Sequence, residues 1–395
     1  MRNRTLGLKI LAASSLFLAP ATAAAWPPPA PAEKAADRRI SDFSRALGFS
    51  ELINPLPASE KLEKDRFFSA RKKGEVYEPR FEYSGIAAGA SGSVAALEAL
   101  RLEKTPYSIF LAEARDQLVA KYRILRSSGP GEFTALSSGL YPLPSPGETA
   151  AALTELQKLG FSPPDRPTPL SDREMAGELE KALKELKLEK WRVRISAKMS
   201  ASASVSPGSR VISLKKGRRF AAAEVARLVQ HEIGVHAVRA ENGHAMPLEI
   251  FRVGLEGYLE TEEGMAAYRE WSGGIDEGLR LFSLRVLAVD WASRLPFSGV
   301  FENLVRKGVP EETAWALTQR VKRGLTDTGQ PGCYTKDVSY FRGYLRVKEF
   351  MRDGGAWEDL MKYGKVSMAH LPALRALEGG RGAPRPGEPE TPGGK

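Results

Sequence analysis

Five side chains within forty residues of the sequence have the types found in zinc hydrolases. His231, Glu232 and His236 form an H-E-x-x-x-H pattern, and Glu262 and Glu263 follow it. Catalytic zinc sites use three imidazole or carboxylate ligands and leave a fourth position for water, whose pKa falls to about 7. A carboxylate beside that water can take its proton as the water attacks a carbonyl carbon. Glu232, next to the first histidine, is placed for this role of base.

The spacing of the two histidines predicts an irregular helix. Residues at i and i+4 lie about 40° apart around a regular α-helix, whereas His231 and His236, at i and i+5, would lie about 140° apart. A π-bulge absorbs one extra residue and restores the alignment, and such bulges are frequent at functional sites. Gly234 lacks a Cβ and would ease this distortion. We therefore predict a departure from α-helical geometry near residues 233–235.

Helical periodicity leaves the third ligand open between Glu262 and Glu263. If residues 248–271 formed one continuous helix, Glu262 would lie inside its apolar stripe and Glu263 at the edge of the stripe. Thr261, however, is a favourable N-cap, and a helix that restarts there resets the phase. Periodicity alone does not choose between the two carboxylates.

Several segments at and beyond this cluster match one known family. HEIGVHAVRAENG and TEEGMA lie at the cluster, INPLPASEKLEKDRFF and YEPRFEY lie before it, and YTKDVSYFRGY lies after it. Together these segments resemble the tyrosine carboxypeptidase family, which includes the microtubule-associated tyrosine carboxypeptidases and the bacterial QEGLA-motif proteins. The resemblance covers roughly residues 40–375. Met265 stands where leucine is usual, and this substitution conserves volume.

The resemblance implies roles for four residues. It assigns His231, His236 and Glu263 as ligands of one Zn²⁺ ion and Glu232 as the catalytic base. It further implies hydrolysis of the C-terminal peptide bond by Glu-assisted attack of zinc-bound water, with release of tyrosine or phenylalanine. The substrates are then the C-termini of peptides or proteins.

A carboxypeptidase also needs a cation for the terminal carboxylate of its substrate. Arginine suits this task because its guanidinium binds a carboxylate through two parallel hydrogen bonds. Arg239, three residues after His236, and Arg342, in the C-terminal matching segment, are the candidates for substrate binding. Tyr340, in the same segment, is a candidate donor to the developing oxyanion.

Hydrophobic patterning predicts a mainly helical α+β fold, and the resemblance implies that this fold is of the gluzincin-like zinc-peptidase type. A period-two pattern in residues 191–214, interrupted by a Pro-Gly turn, predicts a small β-sheet or hairpin immediately before the active-site helix. Residues 279–295 are apolar on most faces and predict a core helix. Further helices are expected in residues 300–325 and 338–352.

Composition divides the chain into five segments. We expect a signal peptide in residues 1–25, a flexible Pro/Ala-rich leader in 26–38, and an N-terminal helical region in 39–127. A stretch rich in Gly, Pro and Ser follows, and residues 128–375 form the zinc metallopeptidase catalytic region. Residues 376–395 have the composition of a disordered tail.

The N-terminus predicts export. Three basic residues precede an apolar run at residues 10–21, and small residues follow it, which is the pattern of a cleavable signal peptide. The run is shorter than the roughly 20 residues of a spanning helix, and no cysteine lies near the cleavage site. We therefore expect a periplasmic or secreted protein without stable membrane insertion, for which intracellular tubulin is out of reach. The formal net charge is +10 without a run of like charge, so nucleic acid is not an expected partner.

The sequence thus predicts an exported zinc metallocarboxypeptidase. One alternative is a zinc metalloendopeptidase, which would also cleave peptides with an amidated C-terminus. Another is a non-catalytic zinc-containing binding protein of the cell envelope, which would have no reason to retain Glu232. Neither the natural substrate nor the oligomeric state follows from the sequence.

Overall fold

Helices dominate the structure, and one small sheet accompanies them. The computed structural model describes residues 26–86, 89–162, 167–197, 199 and 201–379. The predicted signal peptide and residues 380–395 of the predicted tail lie outside these ranges. The mixture of many helices and one sheet confirms the α+β fold class. Within the described ranges, no helix combines the length and the apolar character needed to cross a bilayer.

Three helical segments contain most of the predicted site residues: the π-helix (Val229–Ala237), the glutamate helix (Tyr258–Ser272) and the tyrosine helix (Val338–Arg352). Two 3-10 turns span Thr335–Asp337 and Met368–His370. The remaining α-helices are Pro31–Leu47, Phe49–Leu52, Pro57–Lys72, Ala90–Glu98, Ser108–Leu125, Pro130–Leu140, Pro146–Leu159, Asp172–Glu185, Ala223–Leu228, Val238–His244, Ile250–Val253, Glu277–Ala292, Phe297–Arg306, Glu311–Lys322, Trp357–Lys362 and Leu371–Glu378. The predicted core helix and the helices expected after it are therefore present.

The sheet lies immediately before the π-helix along the chain. Its strands are β1 (Arg192–Ser196), β2 (Ala203–Ser206) and β3 (Val211–Lys215), in the spatial order β1-β3-β2. β2 and β3 pair antiparallel, which confirms the predicted hairpin, and β1 pairs parallel with the other edge of β3. β3 is central, and four of its five residues are buried. β2 packs against the π-helix, so the sheet supports one side of the predicted site.

The segment predicted as a flexible leader, residues 26–38, is packed into the structure. Trp26 is buried, with its ring centroid 5.7 Å from that of Tyr363. Most of the segment belongs to the helix Pro31–Leu47, where the buried Asp37 carboxylate accepts two backbone N–H groups at 2.8 and 2.9 Å. Proline suits the first turn of a helix and alanine its interior, so Pro/Ala-rich composition did not exclude this helix.

The predicted boundaries at residues 127 and 376 are not packing boundaries. The helix Pro130–Leu140 occupies the Gly/Pro/Ser-rich stretch, and the helix Leu371–Glu378 runs past the predicted start of the tail. One continuous hydrophobic cluster joins side chains from the N-terminal helices, the π-helix and the last helix. The N-terminal region therefore shares its core with the predicted site.

Glycines bring the glutamate helix and the tyrosine helix into backbone contact. A Cβ atom at Gly264 would lie 2.2 Å from the carbonyl carbon of Gly343, and a Cβ atom at Gly343 would lie 1.9 Å from the carbonyl oxygen of Glu260. Real Cβ atoms do not approach other atoms so closely, so neither position accepts a side chain without movement of a helix. This contact fixes the position of Glu263, the neighbour of Gly264.

Gly264→Ala should destabilise the protein by about 1–3 kcal/mol, because the added methyl group overpacks two backbones that cannot both stay in place. Gly177→Ala is the matched control, since Gly177 is also helical and a Cβ there would meet no atom within 4 Å. The control should raise the free energy of unfolding by about 0.5–1 kcal/mol. Urea denaturation measures both changes, and equal effects would contradict the proposed helix contact.

Candidate metal centre

The two motif histidines lie on one turn of the π-helix. This segment of nine residues, Val229–Ala237, replaces the α-helical bonding pattern with the wider i to i+5 pattern, so that residues five apart lie above one another. The ring centroids of His231 and His236 are 4.9 Å apart. The prediction of irregular geometry near residues 233–235 is confirmed, and the distortion extends over the whole segment.

Gly234 allows a close approach by the glutamate helix. Gly234 does not have a positive φ angle, so its backbone conformation does not require glycine. A Cβ atom at Gly234 would lie 3.1 Å from Cζ of Arg269, and Arg269 Nη1 donates a hydrogen bond of 3.4 Å to the Gly234 carbonyl oxygen. The missing side chain therefore makes room for a guanidinium that joins the two helices.

The start of the glutamate helix determines which carboxylate faces the histidines. A turn with positive φ at Gly254 (121°) and Gly257 (68°) precedes the helix, which begins at Tyr258. The structure therefore has neither the continuous helix over 248–271 nor a restart at Thr261. With this phase Glu263 Oε2 lies 3.6 Å from Nε2 of His231 and 3.7 Å from Nε2 of His236.

The three converging groups fit a tetrahedral zinc ion. The ligand atoms of His231, His236 and Glu263 all lie within 4.8 Å of one another. Two ligand atoms at zinc–ligand distances near 2.0–2.1 Å would be about 3.3 Å apart in a tetrahedral site. The observed separations from Glu263 exceed this value by a few tenths of an ångström. Three protein ligands of these types match a zinc site with one open position.

Two outer carboxylates orient the imidazoles. Nδ1 of His231 lies 2.7 Å from Oε1 of Glu270, and Nδ1 of His236 lies 2.6 Å from Oε1 of Glu262. Such bonds hold the proton on Nδ1 and leave Nε2 for a metal ion. Glu262 therefore lies behind His236 rather than between the histidines. Glu270 was not predicted as a site residue, although its position seven residues after Glu263 indicated that it lies on the same face of the helix.

Burial and pairing shift the pKa values of the central groups. Burial alone would lower the pKa of His231, but its contact with Glu263 and its hydrogen bond to Glu270 raise that pKa to about 10. Burial would raise the pKa of Glu263, whereas its contact with His231 and the charges of His236 and Lys336 lower it to about 2. The buried carboxylate therefore stays ionised at neutral pH, as a metal ligand must.

Protein groups behind the site occupy the guanidinium of Arg239. Its side chain is fully buried, Nη2 donates to the carbonyl oxygen of Val366 at 2.7 Å, and Nη1 lies 3.5 Å from Glu262 Oε2. Lys365 Nζ lies 3.2 Å from the other oxygen of Glu262. Arg239 thus has no exposed surface for a substrate carboxylate, contrary to the expectation from its spacing. The sequence distance between Arg239 and Val366 concealed this arrangement.

Arg342 also has protein partners for its guanidinium. It forms a two-pronged ion pair with Glu148, at 2.5 and 2.9 Å, and donates to the carbonyl oxygens of Pro142 and Leu143 at 3.0 and 2.9 Å. These contacts tie the tyrosine helix to the helix Pro146–Leu159, through Glu148, and to the segment before that helix. The carboxylate of Glu148 therefore binds Arg342 in the two-pronged way that was expected for a substrate carboxylate.

Tyr340 lies within electrostatic reach of Glu263. Its ring stacks on Phe282 with centroids 5.0 Å apart, and Arg320 Nη2 donates to its hydroxyl oxygen at 3.3 Å. Burial, followed by the Glu263 charge, raises the pKa of Tyr340 to about 12. The phenol therefore keeps its proton at neutral pH and can donate a hydrogen bond to an acceptor.

Glu232 lies beside the converging ligands. It is 9% exposed, and its charge contributes to the raised pKa of His231. Among the described residues, no hydrogen-bond donor holds its carboxylate. Its oxygens are therefore free to accept a proton.

Comparison with known proteins shows the family of the chain. The sequence model of the family described as Microtubule-associated tyrosine carboxypeptidase matches residues 65–383. Microtubule-associated tyrosine carboxypeptidase 1 of Mus musculus is 32% identical over 152 residues, which cover 38% of this chain and 32% of the mouse protein. The Homo sapiens protein of the same name is also 32% identical over 152 residues, with the same coverage. The aligned part thus spans about a third of these relatives' length. Because the family match extends over most of the sequence, the chain belongs to the microtubule-associated tyrosine carboxypeptidase family.

Proposed function

We propose that this chain is a zinc-dependent carboxypeptidase that releases a C-terminal residue, tyrosine or phenylalanine, from peptides or proteins. The observation that carries the proposal is the convergence of His231, His236 and Glu263 on one point, with Glu232 near enough for its charge to act on His231. The names of the relatives support carboxypeptidase activity. We further propose, from residues 1–25, that the protein is exported to the periplasm or secreted.

The donor set fits zinc in kind and in number. Nε2 of His231, Nε2 of His236 and Oε2 of Glu263 would hold the ion, while Glu262 and Glu270 hold the two imidazoles in place. Bound zinc supplies Lewis acidity, which polarises a carbonyl group and activates water near neutral pH.

The protein's own groups would move the protons. Glu232 accepts the proton of the attacking water and passes it to the leaving amine as the carbon–nitrogen bond breaks. Tyr340 donates a hydrogen bond to the carbonyl oxygen as negative charge develops on it. Arg320, which contacts the Tyr340 hydroxyl, adds positive charge on the same side.

Glu232→Gln should strongly reduce turnover while the protein retains zinc. Removing a general base costs typically about 10²–10⁴-fold in rate, whereas the three ligands are unchanged. Metal analysis and release of terminal tyrosine or phenylalanine from a peptide library provide the two readouts. Cleavage of C-terminally amidated peptides would indicate an endopeptidase, and zinc without any turnover in the wild type would indicate a binding protein.

Glu262→Gln and Glu270→Gln should each weaken zinc binding by about 10–100-fold, because each variant loses the carboxylate that orients one imidazole. Glu260→Gln is the matched control, since Glu260 lies on the same helix and pairs with Arg346. Zinc affinity is measured by competition with a chromogenic chelator. Wild-type affinity in both outer variants would remove their proposed role.

The metal-depleted protein should show a pH-dependent stability contribution from His231. The folded pKa of about 10 exceeds the ordinary 6.5, so this contribution is complete below pH 6.5 and is lost as the pH rises through 10. Burial lowers the pKa of Lys336 to about 7, so Lys336 shifts stability in the opposite direction. The wild type must therefore be compared with His231→Asn. Urea denaturation in EDTA should show their difference shrinking from pH 6 to pH 9. A constant difference would contradict the raised pKa.

A further inference from the structure

A cavity of about 310 Å³ is lined in part by Tyr258 and Lys336, which both interact electrostatically with Glu263 of the candidate metal centre. Its wall includes residues 257–260 at the start of the glutamate helix, just before Glu262 and Glu263. The charge of Lys336 contributes to the low pKa of Glu263. The volume is at the lower end of the range of about 300–1,000 Å³ for small-ligand sites. We call this space the Lys336 cavity.

The ammonium group of Lys336 has no direct partner in the described part of the chain. The structure shows neither a hydrogen-bond acceptor nor a carboxylate within 4.0 Å of it. By contrast, the neighbouring Arg320 and Arg323 both reach the carboxylate of Asp337. Arg239 and Arg342, the cations predicted from the sequence, are engaged as described above. Lys336 is therefore a cation near the metal centre that retains its hydrogen-bonding capacity.

The surroundings of Lys336 favour an incoming anion. Burial and the nearby charge of Arg323 lower its pKa to about 7, which means that its charged form is poorly stabilised in the protein alone. A carboxylate bound beside the ammonium would offset this cost. Two carboxylates also line the cavity, but Glu260 is paired with Arg346, and Glu51 is an exposed residue.

The rest of the cavity wall is mixed: it includes the aromatic residues Phe49, Tyr141, Tyr258 and Tyr334, and its second cation, Lys121, donates to Gln117 at 2.6 Å. The ring centroid of Tyr334 lies 5.9 Å from that of Tyr141 and 6.0 Å from that of Phe49. Such a surface buries a large apolar or aromatic side chain and leaves the hydroxyl groups at its edge for polar contacts.

We propose that the Lys336 cavity binds the C-terminal residue of the substrate, with the α-carboxylate on the Lys336 ammonium and the side chain against the aromatic residues of the cavity wall. This assignment rests on the proposed peptidase function. It makes Lys336 the group that distinguishes a chain end from an internal peptide bond.

Binding to the inactive Glu232→Gln protein tests the assignment without turnover. Calorimetry compares a peptide that ends in a free tyrosine carboxylate with the same peptide as its C-terminal amide. Lys336→Met in this background should weaken the free-carboxylate peptide about 10- to 100-fold, the usual range for a hydrogen bond to a charged group, and leave the amide unchanged. Lys158→Met, at an exposed ion pair with Glu155, is the matched control and should change neither.

Equal effects of Lys336→Met on both peptides, or no effect on either, would overturn the assignment. Lys336→Arg, which keeps the charge, should recover most of the affinity, and thermal unfolding verifies that each variant is folded. If Lys336→Met does not fold, Lys336→Gln takes its place in the same comparison. Absence of peptide hydrolysis by the wild type would instead refute the proposed function, because the binding measurement does not depend on turnover.

Discussion

The structure depends on two buried hydrogen bonds between the π-helix and the glutamate helix, His231 to Glu270 and His236 to Glu262. Both carboxylates are almost completely buried, and an unpaired buried charge costs far more than a pair contributes. The two helices must therefore keep the separation and rotation that satisfy both bonds. The same rotation brings Glu263 in front of the imidazoles.

The rest of the site can be understood as compensation for these buried charges. Glu262 is balanced by Arg239 and Lys365, and Glu270 lies 3.7 Å from Arg227. Glu232 and Glu263 lie within the same group and have no arginine or lysine bonded to them among the described residues. A divalent cation would balance these two charges, which is consistent with the proposed zinc ion.

Charge of the opposite sign lies on the tyrosine-helix side of the site. Arg285, Arg320 and Arg323 surround the single carboxylate of Asp337, and Lys336 extends this positive region into the cavity. In the proposed function, the carboxylate-rich side holds the metal and the cationic side holds the substrate's terminal carboxylate. This division places the scissile bond between them.

The sequence by itself determined the residue types of the site, the irregular helix, the hairpin and the family. These features follow from local spacing: histidines five residues apart require a wider helix, and alternating residues require a strand. Only the tertiary structure decided that Glu263 rather than Glu262 faces the histidines, because a turn at Gly254 and Gly257 sets the phase of the helix. The flexible leader predicted from composition for residues 26–38 was wrong, because whether a Pro/Ala-rich segment packs depends on the surface available to it.

Long-range packing also explains why the two predicted arginines are not available to a substrate. Whether Arg239 or Arg342 can bind a substrate depends on partners far away in the chain, Val366 in one case and Glu148 in the other. No local pattern contains that information. The chemistry of the site was therefore determined locally by its residue types, while the availability of each charged group was decided by long-range packing, which alone determines what is buried and what it contacts.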